Sequence, residues 1–164
     1  MIFRTATRQD LPAVLALLAQ DEAPGADAES AGSGAGGMGG VTAVEPVVSE
    51  AHERAFAAIA ADPRNEMLVL EDDGDLVGCL QLTYVPGLGQ GGRERALVEA
   101  VRIRADRRGR GLGARLMELA ADRARERGCG LVQLTSNKRR TAAHRFYERL
   151  GYARSHEGFK LPLT

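Results

Sequence analysis

Tryptophan is missing from this chain, and aromatic residues account for only 4% of its 164 residues. Surfaces that bind nucleic acid usually place aromatic side chains among basic ones, so that bases can stack on them. The charge also argues against such a partner, because 22 Lys and Arg residues balance 22 Asp and Glu residues. We therefore expect neither nucleic acid nor a membrane surface to be a partner.

Long apolar segments and cysteine pairs of the metal-binding type are lacking too. No apolar run reaches the roughly 18 residues of a membrane-spanning helix, and no basic-then-apolar leader begins the sequence. Cys79 and Cys129 lack the spacing of metal ligands and are expected to be buried free thiols. These absences predict a cytoplasmic protein that holds no metal ion.

A glycine-rich turn between a strand pattern and a helix pattern is the most informative segment. Residues 96–104 are strand-like, residues 107–113 are Arg-Arg-Gly-Arg-Gly-Leu-Gly, and leucine and alanine then recur at helical spacing up to Gly128. The first N–H groups of a helix lack intrahelical partners, the helix dipole favours anions, and glycine lets a phosphate approach the main chain. The turn therefore predicts a pyrophosphate site.

Two other phosphate-binding motifs do not fit this turn. The ATP-binding loop ends in Gly-Lys and a hydroxyl residue, whereas no lysine follows these glycines and Ala114 occupies the hydroxyl position. The dinucleotide fingerprint has the spacing G-x-G-x-x-G in a first βαβ unit, whereas this turn has G-x-G-x-G late in the chain. What remains is Arg108-x-x-Gly111-x-Gly113.

That pattern resembles the acyl-CoA pyrophosphate motif of the GNAT superfamily of N-acyltransferases. A second segment, Ala-x-x-Phe-Tyr-x-x-x-Gly-Tyr from Ala143 to Tyr152, resembles the closing helix and strand of the same superfamily. The tail from Ser136 to Lys160 is also similar to small-molecule members such as aminoalkylphosphonate acetyltransferases. The resemblance extends over the chain apart from residues 22–45 and implies an acetyl-CoA-dependent N-acetyltransferase.

The order of the elements predicts a three-layer α/β (α+β) fold, in which about four helices flank a central twisted mixed β-sheet of six to seven strands. The strand patterns cover residues 2–6, 66–70, 76–85, 96–104, 131–135, 153–155 and 159–163. Residues 1–164 are expected to form a single N-acetyltransferase domain. The Gly/Ala-rich segment at about 22–45 is expected to be a flexible loop, either a lid on the acceptor site or plain disorder.

Acetyl transfer needs a base, because a primary ammonium with a pKa near roughly 10 must lose a proton before the amine can attack. Glu99 is the candidate, since a regular strand would place it on one face with Leu97, Val101 and Ile103. A buried carboxylate has a raised pKa and accepts a proton near neutrality, directly or through water. The alternative is a β-bulge that turns Glu99 toward solvent or toward an arginine such as Arg102.

The departing thiolate benefits from a proton donor, and the resemblance implies Tyr147, the tyrosine of the Phe-Tyr pair that points at the coenzyme sulfur. The alternative is a core tyrosine, since Ala143, Tyr147 and Leu150 share one helical flank. His144 is expected to lie at the surface or next to the site residues. His156 is expected to lie in a late strand or loop, and the alternative is that it shapes the acceptor pocket.

The resemblance also implies how the coenzyme is held. The pantetheine arm would run beside the strand before the turn, the turn would hold the pyrophosphate, and Asn137 would bond the pantetheine amide, unless Asn137 only bonds its own turn. The expected coenzyme-binding residues are Val101, Arg102, Ile103, Arg108, Gly109, Arg110, Gly111, Leu112, Gly113, Ala114, Asn137 and Tyr147.

Three functions are compatible with these residues. The first is acetyl transfer from acetyl-CoA to a primary amine of a small molecule, with Glu99 as general base and Tyr147 as general acid. The second is acetylation of a protein lysine or N-terminus, and the third is a non-catalytic acyl-CoA-binding sensor module. The resemblance also implies a homodimer, because closing strands in this superfamily often pair across a two-fold axis.

Overall fold

The structure is a computed structural model that describes residues 1–20 and 46–163. The loop expected at about 22–45 therefore lies outside the described residues. The chain forms two compact units, Met1–Leu134 and Thr135–Thr164, and each is described by itself. A single domain over residues 1–164 stays a prediction.

The larger unit is built on a five-stranded mixed sheet with the strand order β1-β2-β3-β4-β5. The first four strands pair as antiparallel neighbours, and β5 pairs with β4 in parallel. A tight turn at Asp73 and Gly74, with φ of 51° and 81°, joins β2 to β3, as the Asp-Gly sequence predicts. The strands are β1 (Ile2–Thr5), β2 (Asn65–Asp72), β3 (Asp75–Val85), β4 (Arg95–Ile103) and β5 (Leu131–Leu134).

Among the described residues of this unit, three α-helices cover the two faces of the sheet. Helix α1 (Leu11–Ala19) has a proline in its first turn, and α2 (Glu50–Ala61) begins after Ser49, whose hydroxyl accepts a hydrogen bond from the His52 N–H. Helix α3 (Leu112–Glu126) follows the glycine-rich turn. A fourth helix, α4 (Thr141–Arg149), lies in the smaller unit.

Successive side chains of each strand point to opposite faces of the sheet. On the first, Val14 and Leu17 of α1 are buried with Val69 and Cys79, and Phe56 of α2 packs against them; we call this the α1/α2 face. On the second, Arg123 of α3 pairs with Glu66 at 3.2 Å, and the guanidinium of Arg127 stacks 4.1 Å from the ring centre of Tyr84. We call the second face the α3 face.

The expectation of six to seven strands is wrong, because the described residues form five. The patterns at 153–155 and 159–163 adopt no regular secondary structure. Phe159, Leu161 and Leu163 alternate as in a strand, yet their exposed fractions are 93%, 83% and 90%. Alternation creates a strand only where a neighbouring backbone supplies hydrogen-bond partners, and within the described residues none pairs with this segment.

Candidate functional site

A β-bulge interrupts β4 directly after Glu99. In the pairing with β3, Gln81 lies opposite Glu99 and Cys79 lies opposite Arg102, so that two residues of β4 face one of β3. Ala100, inside the bulge, has a φ of 54°. The buried thiol of Cys79 donates a hydrogen bond to the Ala100 carbonyl at 3.6 Å, and burial raises the pKa of that thiol to about 12.

Because of the bulge, the neighbours of Glu99 differ from those expected for a regular strand. Because the register shifts, Arg102 follows Glu99 on the α1/α2 face, whereas Ile103 lies opposite Gly78 on the α3 face. The side chain of Glu99 is exposed. The expectation of a carboxylate buried within an apolar stripe with Val101 and Ile103 is therefore wrong, and the bulge alternative describes the strand.

Replacement of Ala100 by glycine is expected to raise the free energy of unfolding by about 1 kcal/mol. An L-residue in the left-handed region is strained by roughly 1–2 kcal/mol, and glycine removes that strain at a smaller entropic cost. Chemical denaturation measures the change. The control is Ala96→Gly in the same strand, where the buried alanine lies outside the left-handed region and stability should fall. A less stable Ala100→Gly protein would contradict the strain.

The outer edge of β4 is open beyond the point where β5 ends. The last pair between the two strands joins Val98 to Leu134, and no described strand continues along residues 99–103 on that side. An open strand edge presents main-chain N–H and C=O groups to an extended ligand. The predicted pantetheine-binding residues Val101, Arg102 and Ile103 lie along this edge.

The glycine-rich turn leads from this edge into α3. Gly109 and Gly111 have φ values of 73° and 76°, which favour glycine, and a Cβ built on either would meet no heavy atom within 4 Å. The first main-chain bond of the helix runs from the N–H of Arg115 to the carbonyl of Gly111. The N–H groups of residues 112–114 therefore precede the helical ladder, beside open space where an anion can approach.

The arginines around the turn have different partners. Arg107 pairs with Asp72 at 3.2 Å, and Arg104 pairs with Asp106 at 2.7 Å, which holds the pKa of the Asp106 carboxyl below its usual value. The Arg107 pair ties the turn to the end of β2, whereas the Arg104 pair lies within the segment between β4 and the turn. The Nε of Arg108 donates to the Ile103 carbonyl at 3.0 Å. Arg110 is exposed.

Tyr147 lies in α4 of the smaller unit and is half-buried. Its ring meets those of Phe146 and Tyr152 edge-on, with ring centres 5.1 and 6.0 Å apart. The helix ends at Arg149, Gly151 follows with a φ of 89°, and the N–H of Tyr152 donates to the Tyr147 carbonyl. An aromatic cluster thus fixes the tyrosine, which is compatible with either of its expected roles.

Asn137 stabilises the turn before α4. Its side-chain oxygen accepts a hydrogen bond from the Arg139 N–H at 2.9 Å, the local turn that was the alternative to coenzyme binding. The Nε2 of His144 donates to the Asn137 carbonyl at 2.9 Å. His156, in the exposed tail, bonds the hydroxyl of Ser155.

Three polar residues on the same face of the sheet as Glu99 were not among the site residues expected from the sequence. Asn65, Gln81 and Thr83 lie on the α1/α2 face, and the Asn65 side-chain oxygen accepts from both others. The signal available was the alternation Gln81-Leu82-Thr83 in a strand whose neighbouring positions are apolar. The strand register alone places Gln81 opposite Glu99.

No group of three or more His, Cys, Asp or Glu side chains suited to a metal ion occurs among residues 1–20 and 46–163. In the same part of the chain, every helix is too short or too polar to cross a membrane.

Two curated proteins are similar to this chain. The aminoalkylphosphonate N-acetyltransferase of Salmonella typhimurium is 33% identical over 110 residues, which are 67% of this chain and 71% of that protein. The streptothricin acetyltransferase of Streptomyces lavendulae is 33% identical over 104 residues, 63% of this chain. The match spans 47% of that second protein.

The chain is also similar to a solved structure and to a protein family. A solved structure described as a transcriptional regulator from Bacillus halodurans C-125 is 36% identical, covers 99% of both chains and has a TM-score of 0.81. The acetyltransferase (GNAT) family, whose members use acetyl-CoA, matches residues 41–152. With its mixed sheet and its glycine-rich turn at the start of α3, the chain belongs to this family and is an acetyl-transferring enzyme.

Proposed function

We propose that the enzyme transfers the acetyl group of acetyl-CoA directly to a primary amine of a small molecule. The observation that carries the proposal is the open β4 edge at residues 99–103, which leads into the turn at Gly109 and Gly111. An extended pantetheine arm suits the edge, and a pyrophosphate suits the N-terminus of α3. The two curated relatives are named for small acceptors, which supports the choice of acceptor class.

In the proposed reaction, the amine nitrogen attacks the thioester carbonyl carbon, the C–N bond forms and the C–S bond breaks. Glu99 takes the amine proton, directly or through water, and main-chain N–H groups of residues 101–103 stabilise the charge on the carbonyl oxygen. Tyr147 gives a proton to the departing thiolate. Residues 108–114 hold the pyrophosphate, and Asn137 bonds the pantetheine amide.

Free-thiol release from acetyl-CoA with a panel of amines tests the proposal. Release with small primary amines supports it, whereas release only with lysine-containing or free N-terminal peptides identifies a protein acetyltransferase. Acetyl-CoA binding without release for any acceptor would indicate the sensor module. The last outcome has specific interest because a structural relative is described as a transcriptional regulator.

Tyr147→Phe is expected to lower turnover by about 100-fold while acetyl-CoA affinity changes by only a few-fold, since one hydroxyl is lost and the packing stays. Steady-state kinetics and calorimetric titration measure the two effects. Tyr152→Phe, the same change in a tyrosine of the same cluster, is the control and should retain its turnover. If the turnover of Tyr147→Phe is unchanged, Tyr147 serves only in the packing of the aromatic cluster.

We also propose a cytoplasmic homodimer. Phe159, Leu161 and Leu163 place three exposed apolar side chains at alternate positions, a pattern that a second copy can cover. The described cysteines are free, as in a reducing compartment. Light scattering at working concentration is expected to give twice the chain mass, and a monomeric mass would contradict the dimer.

A further inference from the structure

The α1/α2 face of the sheet is divided into an apolar part and a polar part. Val69 and Cys79 are buried under α1 and α2, but the neighbouring positions toward the other end of β3 are polar. We call these the polar floor, which consists of Asn65, Gln81, Thr83 and Glu99. Asn65, Gln81 and Thr83 are half-buried, and Glu99 is exposed.

Asp62 fixes the orientation of the first amide of the floor. Its carboxylate accepts hydrogen bonds from the Arg64 main-chain N–H at 2.8 Å and from Asn65 Nδ2 at 3.0 Å. A carboxylate can only accept, so the NH₂ group of Asn65 must face Asp62. The Oδ1 of Asn65 is therefore directed at the sheet.

The Asn65 oxygen in turn orients its two neighbours. It accepts from the Thr83 hydroxyl at 2.9 Å and from Gln81 Nε2 at 3.5 Å. Gln81 thus turns its NH₂ group toward Asn65 and leaves its Oε1 as an acceptor. No described residue donates a hydrogen bond to that Oε1 or to the carboxylate of Glu99, which lies opposite Gln81 in the sheet.

Two acceptors of the floor, the Gln81 Oε1 and the Glu99 carboxylate, therefore receive no hydrogen bond from the described residues, and the second of them carries negative charge. Such a surface complements ammonium and hydroxyl donors, whereas it leaves a phosphonate facing acceptors and a like charge. Arg102 lies on the same face beyond the bulge, where its Nη1 donates to the Val101 carbonyl at 2.9 Å. An anionic acceptor would have to bind there instead of on the floor.

We propose that the acceptor is a donor-rich cation, a diamine, polyamine or amino sugar, whose second ammonium or hydroxyl group is bound by the Oε1 of Gln81 while Glu99 meets the reacting amine. This inference rests on the proposed function, because it places the acceptor beside Glu99. It assigns Gln81 as a specificity-determining residue. It also separates this enzyme from relatives named for aminoalkylphosphonates.

Acetyl transfer to three amines tests the proposal with the full chain. Cadaverine carries the second ammonium, n-pentylamine is the same chain without it, and aminomethylphosphonate carries an anion. A charge-assisted hydrogen bond predicts a kcat/KM for cadaverine about tenfold above that for n-pentylamine. Equal efficiency of these two, or preference for the phosphonate, overturns the inference and leaves the proposed function intact. No thiol release with any primary amine overturns the proposed function itself.

Two variants test whether Gln81 causes the preference for cadaverine over n-pentylamine. Gln81→Leu removes the acceptor and should bring the cadaverine to n-pentylamine ratio close to one, mainly through the KM for cadaverine. Gln81→Glu keeps the shape, adds a charge and should raise the ratio. The control is Gln9→Leu, an exposed glutamine before α1, which should leave the ratio unchanged. If Gln81→Leu fails to fold, Gln81→Glu decides, and an unchanged ratio there overturns the assignment.

Discussion

Glu99→Gln is expected to lower the rate of acetyl transfer at neutral pH by about 100-fold or more, the usual contribution of a general base. Glutamine keeps the shape of the side chain but cannot take up the amine proton. The loss should diminish as the pH approaches the ammonium pKa near roughly 10, because the free amine is then abundant without help. A pH–rate profile of the variant and the parent measures both effects.

Glu118→Gln is the matched control for this experiment. Glu118 lies on the exposed side of α3, where it pairs with Arg115 at 2.7 Å. Its replacement should leave the pH–rate profile as in the parent. A Glu99→Gln enzyme with the same uniform rate loss at every pH would assign Glu99 to acceptor binding and would contradict a role as base.

Gly111→Val is expected to weaken acetyl-CoA binding by about 100-fold or more. The loss of one or two charge-assisted hydrogen bonds to phosphate is worth that factor. Valine adds a branched side chain in the space where the pyrophosphate would approach, at a φ of 76° that L-residues rarely adopt. Isothermal titration of acetyl-CoA measures the affinity.

Gly128→Val separates ligand contact from backbone strain. Gly128 follows the other end of α3, has a φ of 82° and also has no heavy atom within 4 Å of an added Cβ. Both variants should lower the melting temperature, but only Gly111→Val should lose acetyl-CoA. Similar affinity losses in the two variants would attribute the effect to destabilised α3 and would remove the phosphate-site assignment.

Much of the local structure could be predicted because its determinants lie within a few residues. The Asp-Gly turn between β2 and β3, the Ser49 cap of α2 and the glycine-rich turn before α3 each follow from short-range backbone chemistry. The family resemblance rested on two such segments and is confirmed by the match over residues 41–152. The roles of the candidate site residues stay predictions.

The surroundings of Glu99 could not be predicted because they depend on strand register. Alanine gives no sign of a left-handed conformation, so nothing in the sequence marks Ala100 as the centre of a bulge. One extra residue there reverses which of the following side chains share a face with Glu99. The prediction of strands at residues 153–155 and 159–163 was wrong for a related reason, since an alternating pattern does not specify a pairing partner.

The helices, the tight turns and the phosphate-type turn at residues 108–114 follow from local sequence, since periodicity and glycine placement act within single segments. The exposure of Glu99, the open edge of β4 and the unoccupied acceptors of the polar floor depend instead on how the strands pair in space. Those properties arise because Asn65, Gln81 and Glu99, which are distant in the sequence, lie on three neighbouring paired strands. The orientation of each polar side chain is set by its hydrogen-bond partner on the adjacent strand, and the local sequence contains no sign of that partner.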